Sequence, residues 1–251
     1  MSAIILNAGS ATRLGSMTKT LPKALLKINE NSILEIQIKN FQDFGLSEFV
    51  VIVGPNKEKF SQKNINLVVD TEFKNHEQLG SLLTAEKFLE NGAIVSFGDV
   101  LTEKKIIEQV INSSFDIGLA IDLDWKRNYI GRSLHPESQA DLVRLESGKI
   151  TKIQKNLSHT SDEKIGEFIG IMKLSKNGGK IFVDTYNNLL KSHSGTFHTA
   201  KSFQQAFLTD LIQELISQNI PVNPILIDGN WCEIDTPEDL KKARTNYQYW
   251  I

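Results

Sequence analysis

Three stretches of the chain carry side chains whose types and spacing suit shared chemistry. The first is Leu6-Asn7-Ala8-Gly9-Ser10-Ala11-Thr12-Arg13, with Pro22-Lys23 following ten residues after the arginine. Small residues directly after an apolar run let backbone N–H groups approach phosphate oxygens. Arg13 adds a forked donor and Lys23 a second cation, a pairing suited to a polyphosphate. The second stretch is Gly98-Asp99, and the third runs from Trp231 to Leu240 and holds Asp235. Carboxylates beside a polyphosphate are suited to a hard divalent cation such as Mg²⁺. Each stretch taken singly has a plainer reading. Small-residue loops turn corners in many proteins, Asp99 suits a turn or helix cap, and Asp235 could cap a helix, as could Thr236.

The elements that must position these residues can be read from periodicity. Residues 3–6, 49–53, 65–69 and 93–97 are short apolar runs of the kind buried on both faces of a sheet. The loop of the first stretch follows the first run, and Gly98-Asp99 follows the fourth. Ligands bind at such carboxyl ends in open α/β sheets. Ser32 and Glu35 form a capping-box pattern for a helix to about Phe44, stopped by Gly45. A second helix is expected over 81–89, with Leu82, Ala85, Phe88 and Leu89 on one face. Beyond residue 115 the pattern loosens. Strands are expected over 116–121 and 168–174, and a hairpin turns at Ser147-Gly148. Helices are expected over 178–190 and 203–218. Strands over 222–227 and 231–234 close the sheet, and a last helix opens at Thr236-Pro237-Glu238. The expected fold class is α/β: one doubly wound, mostly parallel, Rossmann-like domain over 1–251 with a substrate-side insertion.

The 251 residues are 40% hydrophobic and 23% charged, an ordinary globular composition. The net charge of -2 offers no basic excess for a nucleic-acid backbone, so no nucleic-acid partner is expected. No apolar run reaches the length of a membrane span, and the first residues lack signal-peptide flanks, so a cytoplasmic protein is expected. The single cysteine, Cys232, excludes an internal disulfide and reads as a strand thiol. His76, His159, His193 and His198 lack metal-site spacing.

The whole pattern resembles the sugar-phosphate and phosphocholine nucleotidyltransferases. Their signature is a strand, then A-A-G-x-G-[ST]-R, then a P-K pair. Here Asn7 stands for the first alanine and Ala11 for the second glycine. The segment W-C-E-I-D-T-P-E-D-L is similar to the family's second metal segment, W-x-E-I-D-T-x-E-D-L. The resemblance implies a nucleotide-diphospho-sugar transferase fold and a nucleoside triphosphate as donor. Arg13, Lys23, Asp99 and Asp235 would be the catalytic residues, and Asp99 and Asp235 would hold Mg²⁺. Leu6, Asn7, Ala8, Gly9, Ser10, Thr12, Arg13, Lys23, Gln78, Ser81 and Asp99 would surround the nucleotide.

The phrase Ile121-Asp122-Leu123-Asp124-Trp125, with Arg132 and His135-Pro136, is similar to the phosphonate-activating members. CTP and a small phosphonate or phosphomonoester are therefore the expected substrates. About residues 1–115 would serve the nucleotide and about 116–235 the acceptor. On the acceptor side Lys155 matches a family lysine that contacts phosphate groups. Arg132 and His135 belong to a basic cluster with Lys126 and Arg127, the last two suiting an ordinary solvated loop. Glu167 would face an acceptor amine or cap a strand edge. Relatives commonly form dimers, so a homodimer is expected. The alternatives are a sugar-1-phosphate nucleotidyltransferase using UTP, dTTP or CTP, or a nucleotide-binding regulatory module without catalysis. A dinucleotide-binding oxidoreductase is disfavoured, because no G-x-G-x-x-G is present.

Overall fold

The computed structural model describes residues 1–9, 12–54, 56–247 and 250. In chain order the strands are β1 (Ser2–Asn7), β2 (Lys27–Ile28), β3 (Asn31–Ser32), β4 (Phe49–Val53), β5 (Ile65–Val69), β6 (Ala93–Phe97) and β7 (Val100–Thr102). They continue with β8 (Ile117–Asp122), β9 (Asp141–Glu146), β10 (Lys149–Lys155), β11 (Lys164–Leu174), β12 (Asn223–Leu226) and β13 (Trp231–Glu233). The helices are α1 (Ile33–Asp43), α2 (Gln78–Leu83), α3 (Glu86–Leu89), α4 (Lys104–Asn112), α5 (Lys176–Ser192), α6 (Leu208–Ser217) and α7 (Pro237–Asn246). No helix among the described residues is long and apolar enough to cross a membrane.

The main sheet runs β10-β9-β11-β6-β1-β4-β5, with β8 beside β11 and β12 beside β8. Strands β6, β1, β4 and β5 are mutually parallel, β11 joins β6 antiparallel, and β9 and β10 follow in successive antiparallel pairings. The central parallel strands sit between two helical layers and are mainly apolar: all of β4 and Ala3, Ile4 and Ile5 of β1 are buried. One core lies under α2, α3, α5 and α6, and a second lies under α1 and α4. The fold is therefore α/β as expected, with its parallel part carrying the first stretch and Gly98-Asp99.

Helix α1 shows how sequence fixes the site's floor. Ser32 accepts from the Glu35 N–H while Glu35 takes the Ser32 N–H, closing the expected capping box. The buried Gln37 amide donates to the Phe97 and Val100 carbonyls, each at 2.8 Å, and Asn40 donates to the Thr102 carbonyl. These bonds tie the turn between β6 and β7 to α1. The Gly98 N–H donates to the Leu6 carbonyl, and a Cβ there would lie 3.0 Å from that oxygen. The turn thus packs directly on the end of β1.

Three expectations are corrected. Trp231–Glu233 does not close the main sheet. It pairs antiparallel with β7 in a separate ribbon, above a core shared with α1 and α7. The 81–89 helix is two short helices, α2 and α3. Thr84 turns its hydroxyl onto the Ser81 carbonyl at the break, which competes with continuation. The 203–218 helix begins only at Leu208, because Asp210 takes the Phe207 N–H and both the N–H and hydroxyl of Thr199. Residues 203–205 form a separate 3-10 turn. Elements β2, β3, β7 and α4 lie where none is expected, although Ile106, Ile107 and Val110 of α4 have helical spacing.

Candidate active site

A cavity of about 620 Å³ opens at the carboxyl ends of β1 and β6. Leu6, Asn7, Ala8, Gly9, Thr12 and Arg13 line one side of it, and Lys23, Gln78, Ser81 and Asp99 are also in its wall. Ser10, expected at the nucleotide, lies outside the described residues, as does Ala11.

The two aspartates, far apart in sequence, are brought together by the ribbon. In it Glu233 pairs with Val100, and the Ile234 N–H donates to the Asp99 carbonyl. Asp99 and Asp235 therefore face each other. The Lys23 ammonium lies between them, 2.7 Å from Asp99 Oδ2 and 2.5 Å from Asp235 Oδ1. Arg13 reaches the other Asp235 oxygen at 2.6 Å. Burial works against the charge on Lys23, but Asp99, Asp235 and Glu233 together raise its pKa above the ordinary value. Burial would likewise raise Asp235, yet the His135 hydrogen bond and the Lys23 and Arg13 charges hold it well below the carboxylate range. Thr236 caps α7, which leaves Asp235 out of the capping role that the sequence left open.

Whether these residues suit a divalent cation can be judged from the ammonium. One cation already reaches both carboxylates, and the second oxygen of Asp99 is buried without a hydrogen-bond partner. Two hard oxygen donors converging on one positive charge fit Mg²⁺. His135, Glu233 and Asp235 also offer ligand atoms within 4.8 Å of one another, a grouping that excludes Asp99. Glu233 lines the cavity without having been singled out in the sequence. Burial, then the Asp235 and Asp99 charges, push its pKa up. Its signal was present in the same W-C-E-I-D segment.

The acceptor-side residues divide. His135, Lys155 and Glu167 line the cavity. His135 is buried, with Nδ1 3.0 Å from Asp235. Arg132 is not in the cavity wall. Its guanidinium is held by Asp239 at 2.8 Å and stacks over the Tyr129 ring. The expected basic cluster does not assemble: Arg127 donates to the Gly229 carbonyl and Lys126 lies over Trp125. Burial pushes the Cys232 thiol up to about 12, consistent with an inert strand residue.

Asp70, at the end of β5, is a residue that local pattern did not reveal. It is 1% exposed and accepts from the Glu72 N–H at 2.9 Å and the Ser81 hydroxyl at 2.6 Å, with His76 Nε2 at 3.2 Å. It thus clips the 71–78 segment to the start of α2. That segment supplies Phe73, Lys74, His76, Glu77 and Gln78 to the cavity. Gly80 permits the fit, because a Cβ there would lie 2.5 Å from the His76 ring.

Comparison with known proteins agrees with this geometry. Residues 3–120 match the MobA-like NTP transferase domain. The chain is 24% identical to the CTP:phosphoglutamine cytidylyltransferase of Campylobacter jejuni, over 96% of this chain and 98% of that protein. It is 29% identical to the 2-aminoethylphosphonate cytidylyltransferase of Lancefieldella rimae, over 100% of this chain and 94% of that one. The fold superposes on the CTP:phosphocholine cytidylyltransferase of Streptococcus pneumoniae with a TM-score of 0.72 and 20% identity, covering 98% of each chain. Residues 3–120 thus resemble a MobA-like NTP transferase domain, and over its length the chain is similar to cytidylyltransferases and shares the fold of solved nucleotidyltransferases.

Proposed function

We propose that the chain transfers CMP from CTP to a phosphate or phosphonate oxygen of a small acceptor, with release of pyrophosphate. The observation that carries this reading is the convergence of Asp99, Asp235 and Lys23 beside the Leu6–Gly9 segment in one cavity. Full-length similarity to two cytidylyltransferases supports CTP as donor. In the proposed step an acceptor oxygen forms a bond to the α-phosphorus. The bond from that phosphorus to the bridging oxygen of pyrophosphate breaks, and the electron pair leaves with pyrophosphate.

A phosphomonoester has a second pKa near ~6 and is largely a dianion at neutral pH, so the attack needs no strong general base. Catalysis then rests on positioning and on charge neutralisation. Arg13 and Lys23 would hold the triphosphate and the departing pyrophosphate. Mg²⁺ held by Asp99 and Asp235 would supply Lewis-acid neutralisation of phosphoryl oxygens. The N–H groups around Ala8 and Gly9 would face the phosphates, and Gln78, held in place by the Asp70 clip, would face the base. Lys155 would balance charge on the acceptor, and His135 would orient Asp235. Arg132 would act indirectly, by anchoring its loop to Asp239.

The test is to incubate the protein with CTP, MgCl₂ and 2-aminoethylphosphonate or phosphocholine, and to follow ³¹P resonances. A new CMP-linked diester or phosphonate anhydride signal, matched by pyrophosphate, is expected. Product from sugar 1-phosphates alone would replace this reading with the sugar-nucleotide one.

A further inference from the structure

The segment from Tyr129 to His135 lies against the first turn of α7 as a strap. Its two ends are buried and its middle is not: Ile130 is 76% exposed and Leu134 59%, whereas Tyr129 and His135 are in the interior. Gly131 turns the chain at φ +76°, with open space where a Cβ would stand. Apolar burial therefore does not hold the middle of the strap in place.

Two adjacent acids of α7 hold it instead. Glu238 accepts the Ser133 N–H at 3.1 Å, the Leu134 N–H at 3.2 Å and the Ser133 hydroxyl at 2.5 Å. Asp239 takes the Arg132 fork with both oxygens, Nε to Oδ1 at 2.8 Å and Nη2 to Oδ2 at 3.0 Å. Asp239 Oδ2 also accepts the Asp235 N–H at 3.1 Å and the Thr236 N–H at 2.9 Å. One carboxylate thus ties the strap to the backbone of Asp235.

Both buried ends of the strap meet acids of the cavity. His135 Nδ1 lies 3.0 Å from Asp235 Oδ2, and the Tyr129 hydroxyl donates to Glu167 Oε1 at 2.5 Å. The Arg132 guanidinium lies over the Tyr129 ring, 5.1 Å from its centroid, so the pair with Asp239 also steadies that ring. Resting on the cytidylyl-transfer reading, we propose that Glu238 and Asp239 are positioning residues: they fasten the 129–135 strap to α7, and the strap sets the Asp235 carboxylate through His135 and the Glu167 carboxyl through Tyr129. Neither Glu238 nor Asp239 lines the cavity, so both act through the strap. A hydrogen-bonded partner that orients a ligating carboxylate is worth about ten- to hundredfold in metal affinity.

The test uses Glu238→Ala, Glu238→Gln and Arg132→Lys in the full chain. Hydrogen exchange of the 130–134 amides reads the strap, and Mn²⁺ binding in the presence of CTP, followed by electron paramagnetic resonance, reads the Asp235 site. Thermal melts report the fold. Glu238→Ala should speed exchange in the strap and weaken Mn²⁺ binding about tenfold at an unchanged melting temperature. Glu238→Gln keeps an acceptor oxygen and should recover most of both. Arg132→Lys keeps the charge but loses the fork, and should match or exceed the effect of Glu238→Ala. Parental Mn²⁺ affinity in Glu238→Ala and Arg132→Lys would overturn the proposal, whether or not strap exchange quickens. Weakened Mn²⁺ binding in the variants, with no pyrophosphate release by the parent from any phosphonate or phosphocholine, would instead overturn the transfer reading and leave the strap standing.

Discussion

The two ends of the cavity handle charge in opposite ways. At the donor end every carboxylate meets a cation supplied by the chain: Lys23 spans Asp99 and Asp235, and Arg13 and His135 close on Asp235. At the proposed acceptor end Glu167 and Asp141 each keep an oxygen with no partner, as Asp99 does, but among the described residues neither forms an ion pair. A compensated cluster is rigid and preformed, suited to a ligand that is the same in every turnover. Acids without an ion pair respond to burial instead: the Glu167 carboxyl is pushed up to about 8 and keeps its proton at neutral pH.

Removing the donor-end acids should break this contrast most severely. Asp99→Ala is expected to lower kcat by ~10³-fold or more while the melting temperature stays near the parent value, because Asp99 ends a turn that backbone bonds already hold. Pyrophosphate release and a thermal melt on the same sample would check this. Near-parental activity would end the cation-binding role of Asp99. Lys23→Ala should cost somewhat less, about 10²-fold, and it leaves two acids facing each other. The uncompensated pair should attract a divalent cation more strongly, so the variant should need less Mg²⁺ for half-maximal rate, and a metal titration reads this directly.

Asp70→Asn sharpens the donor end without touching its charges. Loss of the clip should raise the KM for CTP about tenfold while kcat changes little, because the 71–78 segment would be held less firmly. An equal fall in kcat would point to a more general structural role. The smallest effect concerns stability and belongs to the acceptor end. The Glu167 carboxyl is raised from 4.5 to about 8, chiefly by burial, so the folded chain keeps a proton that the unfolded chain releases. Stability should therefore fall as pH rises from about 4.5 to about 8 and then level off. Asp141, raised from 3.8 to about 6 by burial, adds to the lower part of that window. Glu167→Gln should flatten the upper part in a series of melts against pH.

The donor end was largely legible in the sequence, because its information is local. Strands β1, β4 and β6, the Ser32–Glu35 cap and the Thr236 cap each follow from a few consecutive residues. Asp99 and Asp235 were marked by their own short segments. Their meeting was implied by the family resemblance alone; periodicity did not give the route to it, which depends on β13 leaving the main sheet to pair with β7. The acceptor end depends on register between strands. Asp141, Lys155 and Glu167 come from three strands, and no periodicity in any one of them announces the others. The basic residues at 126–132 drew attention as a sequence cluster, yet their partners Gly229 and Asp239 lie about a hundred residues away, and those partners draw the guanidinium groups of Arg127 and Arg132 out of the cavity. Asp70 was silent for the same reason, since only the fold brings it to Ser81 and His76.

The most direct test of the account is pyrophosphate release with Mg²⁺, comparing CTP with UTP, dTTP, ATP and GTP at a fixed concentration of 2-aminoethylphosphonate. The account predicts release that requires both the phosphonate and Mg²⁺ and is strongest with CTP. Release that prefers another triphosphate, or that proceeds undiminished in Asp235→Asn, would contradict it.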